Sequence, residues 1–423
     1  MSAVDTRLLP ETSAISPSGE LSVGGVPVPL LASEHGTPLF VYDEQHLRNN
    51  CRRAIAEFGA GNVVYATKAF LCGAMARLAA EEGLLLDVAS GGELFTVLHA
   101  GVPADRCVLH GNNKSVEELR EALAAGVGQL VVDSFDELDR LASLRAEGLP
   151  VPKVQLRVTP GVHAHTHEFV STGQDDSKFG FNLANGDAAR AIELAAKSSA
   201  VELVGLHCHI GSNVLDASLF AKASRAMVDL FAGTGLDELT LGGGLGVAYT
   251  SAESAPTMSQ WAEAIASAVA PLPKSTVVRV EPGRSIVAAA GITVYTVGTV
   301  KKIEGIRDYI AVDGGMSDNL RPMLYASPYE VFDPSRTTAE RPDRARIVGK
   351  HCESGDVLID DAGVPVDVAP GDLLVTPVTG AYGYSMANNY NKVPRPAVVF
   401  VADGRSRVVV RRETYEDLVR LDS

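Results

Sequence analysis

Lys68 closes the run Val63-Val64-Tyr65-Ala66-Thr67-Lys68-Ala69-Phe70, where a short β-branched and aromatic stretch gives way to a segment rich in Ala, Leu and Met. A lysine half wrapped in apolar neighbours loses solvation of its ammonium. That lowers its pKa and frees the amine to form a Schiff base with a carbonyl. An isolated lysine in such a place usually only snorkels to water, so its chemistry depends on what stands with it. Three further groups match it in type. Leu241-Gly242-Gly243-Gly244-Leu245-Gly246 follows an apolar run, and backbone without side chains lets N–H groups close on a phosphate. Glu281-Pro282-Gly283-Arg284 adds a guanidinium for the same phosphate and a carboxylate. A carboxylate that is buried needs a cationic partner, and a protonated pyridine nitrogen would be one. His207-Cys208-His209 alternates at strand period, with Gly211-Ser212-Asn213 just beyond. Both imidazoles then face one side, where one can stack on a flat ring or ligate a metal.

A lysine for a Schiff base, glycines and Arg284 for a phosphate, a carboxylate for a ring nitrogen and an imidazole for a ring face together describe pyridoxal 5'-phosphate. That cofactor is an electron sink for a carbanion at an amino acid's α-carbon. The competing reading is a metal-dependent barrel hydrolase that draws on His163, His165, His167 and Glu168 with His207 and His209. Such a hydrolase gains nothing from a triple-glycine loop, and the His163–His167 group lies in a polar segment, 161–181, that reads as solvated or lid-forming. No metal is expected.

These residues need a frame that brings strand ends together. Eight short apolar runs supply it: Val63–Tyr65, Leu84–Val88, Cys107–Leu109, Gln129–Val132, Val154–Val158, Val201–Leu206, Glu238–Leu241 and Val277–Val280. Ser115 with Glu118 and Ser134 with Glu137 have capping-box spacing, and Gly83, Gly101, Gly126 and Gly148 stand where helices should stop. The alternation predicts an α/β fold with a (β/α)8 TIM-type barrel. In such a barrel active sites form at the carboxyl ends of the strands, with phosphate bound after strands seven and eight. Those ends present Lys68, Asp87 with Ser90, His110-Gly111-Asn112-Asn113, Asp133, Arg157, His207 with His209, Gly242 to Gly244, and Glu281 with Arg284.

Beyond about Ala290 the helices drop out. Thr293–Val300, Tyr309–Val312, Leu373–Pro377 and a hairpin over Ala397–Val410 turning at Asp403-Gly404 predict a mainly β domain of sandwich or barrel type. The expected division is a barrel over 38–290 and a β domain from 1–37 plus 291–423. Pro38–Tyr42 reads as the approach to the barrel, Leu21–Leu31 as an outlying β segment, and Met1–Gly19 as a mobile arm without the pattern of a secretory signal.

The chain has 423 residues, 46% of them apolar, and a formal charge of −15. The charge argues against nucleic-acid and anionic-membrane partners, and no apolar run is long enough to span a bilayer. Five scattered cysteines with no C-x-x-C pair fit a reducing compartment, so a cytoplasmic protein is expected.

From about Leu21 onward the motifs resemble the fold-type III pyridoxal phosphate decarboxylases, and within them the branch acting on meso-2,6-diaminopimelate. The matching pieces are Tyr65-Ala66-Thr67-Lys68-Ala69, His110-Gly111-Asn112-Asn113-Lys114-Ser115, His207-Cys208-His209-Ile210-Gly211-Ser212, Gly242-Gly243-Gly244, Glu281-Pro282-Gly283-Arg284, Arg321-Pro322-Met323-Leu324-Tyr325, Cys352-Glu353-Ser354-Gly355-Asp356 and Gly380-Ala381-Tyr382. By that resemblance Lys68 carries the cofactor, His209 stacks on its ring and Glu281 meets its pyridine nitrogen. Ser212, Gly242, Gly243, Gly244, Gly283 and Arg284 hold its phosphate, and Asp87 belongs to the same cofactor set. Arg284, Arg321 and Tyr325 take substrate carboxylates, Glu353 takes the distal amine, and Tyr382 lines both cofactor and substrate. Cys352 gives the proton to the α-carbon after carbon dioxide leaves. The resemblance also implies a homodimer in which Cys352 and Glu353 complete the neighbour's site. The activity it implies is release of L-lysine and carbon dioxide from meso-diaminopimelate, the last step of lysine biosynthesis. Two alternatives stand beside it: a sister decarboxylase for ornithine or lysine, and a non-catalytic cofactor-binding regulator.

Overall fold

In a computed structural model of the chain, residues 4–162, 174 and 176–423 are described. The described residues divide into two compact units, one drawn from 50–247 with 255–285 and the other from 4–49, 248–254 and 286–423. The first unit is built on eight parallel strands: Val64–Ala66, Leu85–Val88, Cys107–Leu109, Gln129–Val132, Lys153–Thr159, Glu202–Cys208, Glu238–Thr240 and Val277–Arg279. They neighbour one another in sequence order. The ring closes where Val63 pairs in parallel with Val280 and the Val64 N–H donates to the Val280 carbonyl at 2.9 Å. These are the eight expected runs, displaced by a residue or two at their ends. A short strand, Phe181–Asn182, also pairs in parallel with Lys153–Thr159.

Helices cover the outside of the ring, each with an apolar stripe facing inward. In Val116–Ala125 the buried positions are Leu119, Ala122 and Leu123, at helical spacing. Ser115 and Glu118 form the reciprocal capping box that their spacing announced. Ser134 also caps its helix, but Glu137 does not reach back to it. The Glu137 carboxylate accepts from the Asp133 N–H at 3.0 Å and pairs with buried Lys114 at 2.9 Å. Lys114 in turn donates to the carbonyls of Gly111 at 2.6 Å and Val131 at 2.9 Å. A buried ion pair with its remaining protons satisfied therefore fixes the loop that begins at His110.

The second unit is mainly β. Its largest sheet runs in the order Val357–Val364, Asp343–Val348, Arg307–Val312, Gly291–Ile303, Leu39–Asp43, Ala397–Ala402 and Arg405–Val410, with Leu373–Thr376 also pairing with Gly291–Ile303. Here the expected boundary at residue 38 moves. Leu39–Asp43 is not an approach to the barrel: it lies inside this sheet, antiparallel to Gly291–Val294 and parallel to Ala397–Val401. All five of its residues are buried, and Leu39 and Val41 pack with Ile292, Val294 and Val399. Nothing local to the strand names those partners, which come from hundreds of residues away.

The amino-terminal segment is also ordered in this unit rather than loose. Val4, Leu8 and Leu9 are buried, and both the N–H and hydroxyl of Thr12 donate to the Asp43 carboxylate, at 2.9 and 2.8 Å. The Leu21–Leu31 stretch is a tight hairpin, Leu21–Val23 with Val26–Pro27, followed by a helix over Val28–His35. Among the described residues, no helix is long and apolar enough to cross a membrane.

Candidate active site

The first strand ends in a 3-10 turn, Thr67–Ala69, which lifts Lys68 onto the carboxyl-terminal rim of the barrel. Its side chain is 46% exposed and its Nζ lies 4.0 Å from Asp87 Oδ2. Burial alone therefore does not activate this amine, contrary to the simplest reading of its apolar neighbours.

From Lys68 a row of polar groups runs across the barrel mouth. Asp87 Oδ1 is 3.8 Å from His110 Nε2, which is 3.1 Å from Glu281 Oε1. Glu281 Oε2 is 3.0 Å from His207 Nε2. Asp87, His110, His207 and Glu281 are all buried. For Glu281, burial pushes the carboxyl upward, but the imidazoles of His110 and His207 outweigh it and hold the group well below the usual range. Burial likewise works against a proton on His110, yet the carboxylates of Asp87 and Glu281 hold that imidazole above its ordinary value. His207 goes the other way: burial lowers it, and Glu281 alone does not compensate. One carboxylate thus sits between two imidazoles that are pushed in opposite directions, His110 toward and His207 away from its charged form.

His110, His207 and Glu281 are also the residues whose ligand atoms lie within 4.8 Å of one another, the one such group among the described residues. His209 does not join them. It is half-buried, and its Nδ1 accepts from the Gly243 N–H at 3.3 Å. Enclosure, then the positive charges of Lys68 and Arg157, hold its imidazole well below the usual value. His209 is therefore a neutral ring with a flat face. Arg157, also at a strand end, lies 3.6 Å from Asp133 and 4.2 Å over the Phe179 ring. The His163–Glu168 cluster lies outside the described residues.

The phosphate loop is glycine for a reason of packing. A Cβ on Gly242 would lie 2.4 Å from the Cys208 carbonyl, on Gly243 1.9 Å from the Glu281 carbonyl, and on Gly244 2.2 Å from the Gly211 carbonyl. The strand ends approach so closely that only bare backbone fits between them. Gly283 is pressed in the same way against Ala66, where its Cβ would meet the Ala66 Cβ at 2.9 Å. Beside this loop Arg284 Nη2 donates to Ser212 Oγ at 2.7 Å, which brings a cation and a hydroxyl together. A rim amine, a buried carboxylate, a neutral ring face and a side-chain-free loop with Arg284 and Ser212 form a donor set that fits pyridoxal 5'-phosphate.

The remaining predicted residues belong to the second unit. Arg321, at the start of the short helix Arg321–Tyr325, is 3% exposed and has no carboxylate partner among the described residues. Its guanidinium lies 4.1 Å over the Tyr249 ring, and it donates to the Tyr329 hydroxyl and, at 3.0 Å, to Ser327 Oγ. A buried cation held by phenols and a hydroxyl retains its charge for an outside anion. Tyr325 is half-buried in the same helix. Tyr382 is close enough to act electrostatically on Arg321, and its φ of +59° is a left-handed conformation that strains a tyrosine.

Cys352 and Glu353 are exposed, but their loop is pinned. The Asp356 carboxylate accepts from the N–H groups of Met316 at 2.7 Å and His351 at 2.9 Å, and the Cys352 N–H donates to Asn391 Oδ1 at 3.1 Å. Next to it, Asp318 accepts from Tyr295 and from the Gly315 N–H. Burial, with some help from Asp313 and Asp356, pushes the Asp318 carboxyl up to about 7. The folded protein thus holds this proton more tightly than the unfolded chain does, so its stability falls as pH rises from about 4 through about 7. Asp318→Asn keeps the shape without the charge. Its stability relative to wild type should rise by up to about 3 kcal/mol between pH 5 and pH 8, measured by urea unfolding at both pH values.

The barrel unit therefore gathers Lys68, Asp87, His209, Ser212, Gly242, Gly243, Gly244, Glu281, Gly283 and Arg284 at one rim, while Arg321, Tyr325, Cys352, Glu353 and Tyr382 lie in the β unit. Sequence reasoning gave no role to His110 and missed that His207 and His110 share one carboxylate. The available signal was position, a histidine closing the third strand and another near the end of the sixth.

Residues 44–288 match the family described as pyridoxal-dependent decarboxylase, pyridoxal binding domain. The chain is 48% identical to the diaminopimelate decarboxylase of Bacillus subtilis (strain 168), an alignment covering 97% of each. It is 46% identical to that of Mycobacterium tuberculosis (strain H37Rv), covering 96% of this chain and 95% of the relative. A solved diaminopimelate decarboxylase from M. jannaschii in complex with L-lysine superposes with a TM-score of 0.89 at 33% identity, covering 98% of both chains.

Proposed function

The chain belongs to the diaminopimelate decarboxylases of the pyridoxal-dependent decarboxylase family, and on that premise we propose that it converts meso-2,6-diaminopimelate to L-lysine and carbon dioxide, the last step of lysine biosynthesis. Its cofactor is pyridoxal 5'-phosphate. The observation that carries the reading is the row from Lys68 through Asp87 and His110 to an ionised, buried Glu281, laid across the barrel rim beside the glycine loop.

When bound, the cofactor supplies an electron sink for the pair left on the α-carbon as the carboxylate departs. The chain's own residues do the rest. Lys68 would hold the cofactor covalently through its ε-amine and exchange places with the substrate's amine. Gly242 to Gly244, Gly283, Ser212 and Arg284 would hold the phosphate, His209 would cover one ring face, and Glu281 would keep its negative charge toward the ring nitrogen. Asp87 contributes a buried carboxylate next to Lys68. Arg284, Arg321 and Tyr325 would bind substrate carboxylates, with Tyr382 beside them; that Arg321 has phenol and hydroxyl neighbours but no acidic partner among the described residues supports this. Glu353 would bind the distal ammonium, and Cys352 would deliver the proton that replaces carbon dioxide. Both are exposed on a rigid loop, which suits residues offered to a second copy. The enzyme is therefore read as a cytoplasmic homodimer with shared sites, the barrel unit holding cofactor and the β unit contributing to substrate binding and the dimer interface.

The test is an absorption spectrum of the purified protein, borohydride reduction, and carbon dioxide release from meso-diaminopimelate, ornithine and lysine in parallel. A yellow protein that bleaches on reduction and acts on diaminopimelate is the expected result. Activity confined to ornithine or lysine would move the assignment to a sister decarboxylase.

A further inference from the structure

We propose that His110 is a positioning residue for the cofactor's ring nitrogen, acting through Glu281. The inference rests on the reading above, in which Glu281 faces that nitrogen. The geometry is specific to His110. Its Nε2 stands between two carboxylates, 3.1 Å from Glu281 Oε1 and 3.8 Å from Asp87 Oδ1. His207 takes the other Glu281 oxygen at 3.0 Å. The two rings meet edge to face, with centroids 5.1 Å apart and planes at 69°, so each packs against the other beside the carboxylate. A carboxylate has about four lone-pair positions. One Glu281 oxygen is hydrogen-bonded to His207 and the other lies at ion-pair distance from His110, so the carboxylate is held between the two rings with lone pairs left for an outside donor.

The sign of the charges gives the second half of the argument. Along the row, basic and acidic groups alternate: Lys68, Asp87, His110, Glu281. The other groups near His110 are His207, whose imidazole burial pushes away from its charged form, Lys68, whose charge opposes a proton on His110, and the more distant Arg157, which is paired with Asp133. Among the described residues, His110 is thus the basic group directly between the two buried carboxylates, which favour its charged form. Removing its charge leaves Asp87 and Glu281 facing each other in a low-dielectric interior, where like charges disfavour ionisation. Glu281 would then take a proton and could no longer hold one on the ring nitrogen. Glu281 reads as the ring's partner, but His110 sets its state, much as outer partners orient and tune a buried ligand.

The experiment uses the full-length protein loaded with pyridoxal 5'-phosphate 15N-labelled in the ring, as wild type, His110→Leu and His110→Gln. The 15N chemical shift reports whether the ring nitrogen carries a proton, and dialysis gives the cofactor dissociation constant. Wild type should show a protonated nitrogen. His110→Leu removes both the donor and the charge. It should move the shift toward the neutral ring and weaken cofactor binding about 10- to 100-fold, with the Lys68 linkage still reducible by borohydride. His110→Gln keeps a donor near Glu281 without the charge, so it should retain cofactor better than His110→Leu while its ring shift still moves toward neutral. A folded His110→Leu protein with the wild-type shift would overturn the proposal. If His110→Leu does not fold, a wild-type shift in His110→Gln overturns it equally. Wild type that takes up no cofactor would refute the functional reading itself, a result separable from any difference between variants.

Discussion

Lys68→Ala is expected to yield a folded, colourless protein with no measurable decarboxylation. Lys68 is on the rim in a three-residue turn, its side chain is nearly half exposed, and it makes no contribution to the apolar core, so stability should change little. Losing the amine removes the only covalent attachment proposed for the cofactor. Loss of a covalent catalytic group costs on the order of 10⁴- to 10⁶-fold in rate in other enzymes. The measurements are the absorption spectrum after incubation with pyridoxal phosphate, borohydride trapping, and carbon dioxide release. Retention of the reducible chromophore together with turnover would place the attachment on another lysine. Lys114 is a poor substitute because it is buried and paired with Glu137.

The second large effect is expected at Gly243, where no chemistry is lost at all. The added methyl of Gly243→Ala would lie 1.9 Å from the Glu281 carbonyl, well inside van der Waals contact, and the atom it strikes is backbone that cannot rotate away. Strands seven and eight must move apart there, carrying Glu281 off His110 and His207 and opening the loop meant for phosphate. The expected outcome is a loss of about 3 kcal/mol or more of stability, at the high end for single substitutions, together with weak cofactor retention. Thermal unfolding of the apo and cofactor-loaded forms checks both parts. A variant that melts like wild type in the apo form would show that this turn yields more easily than its close contacts indicate.

The barrel was legible because each of its strands is a short apolar run followed by a helix with clear start and stop residues. Ser115, Glu118 and Gly126 mark one such helix at both ends, and the structure uses all three as their types suggest. The cofactor residues were legible for a related reason: in this architecture a polar residue at a strand's carboxyl end is brought to the rim automatically. Long-range partnership was harder to read. Leu39–Asp43 reads equally well as a strand of either sheet, and its partners lie at Gly291–Val294 and Ala397–Val401. The strands Asp343–Val348 and Val357–Val364 were not anticipated because charged residues interrupt them. Arg344 with Asp361 and Arg346 with Asp360 pair across the ladder on its exposed face. The role of His110 was hidden for the same reason as the partners of Leu39–Asp43. It depends on strands three, six and eight meeting around one carboxylate, and no spacing along the chain encodes that.

The pairing of Leu39–Asp43 bears on how the protein is made. During synthesis this strand emerges early, with its first four residues apolar or aromatic, yet its first strand partner is about 250 residues further on, roughly 10 to 50 seconds of elongation at typical rates. Throughout that interval the ribosome displays an apolar edge with its backbone donors and acceptors unpaired, the kind of surface that recruits a neighbouring nascent chain or a chaperone. Barrel closure imposes a similar delay, since Val63 waits for Val280. Truncations ending before residue 291 should therefore yield insoluble protein rather than a working half, and overexpression should be limited by aggregation before completion of the chain.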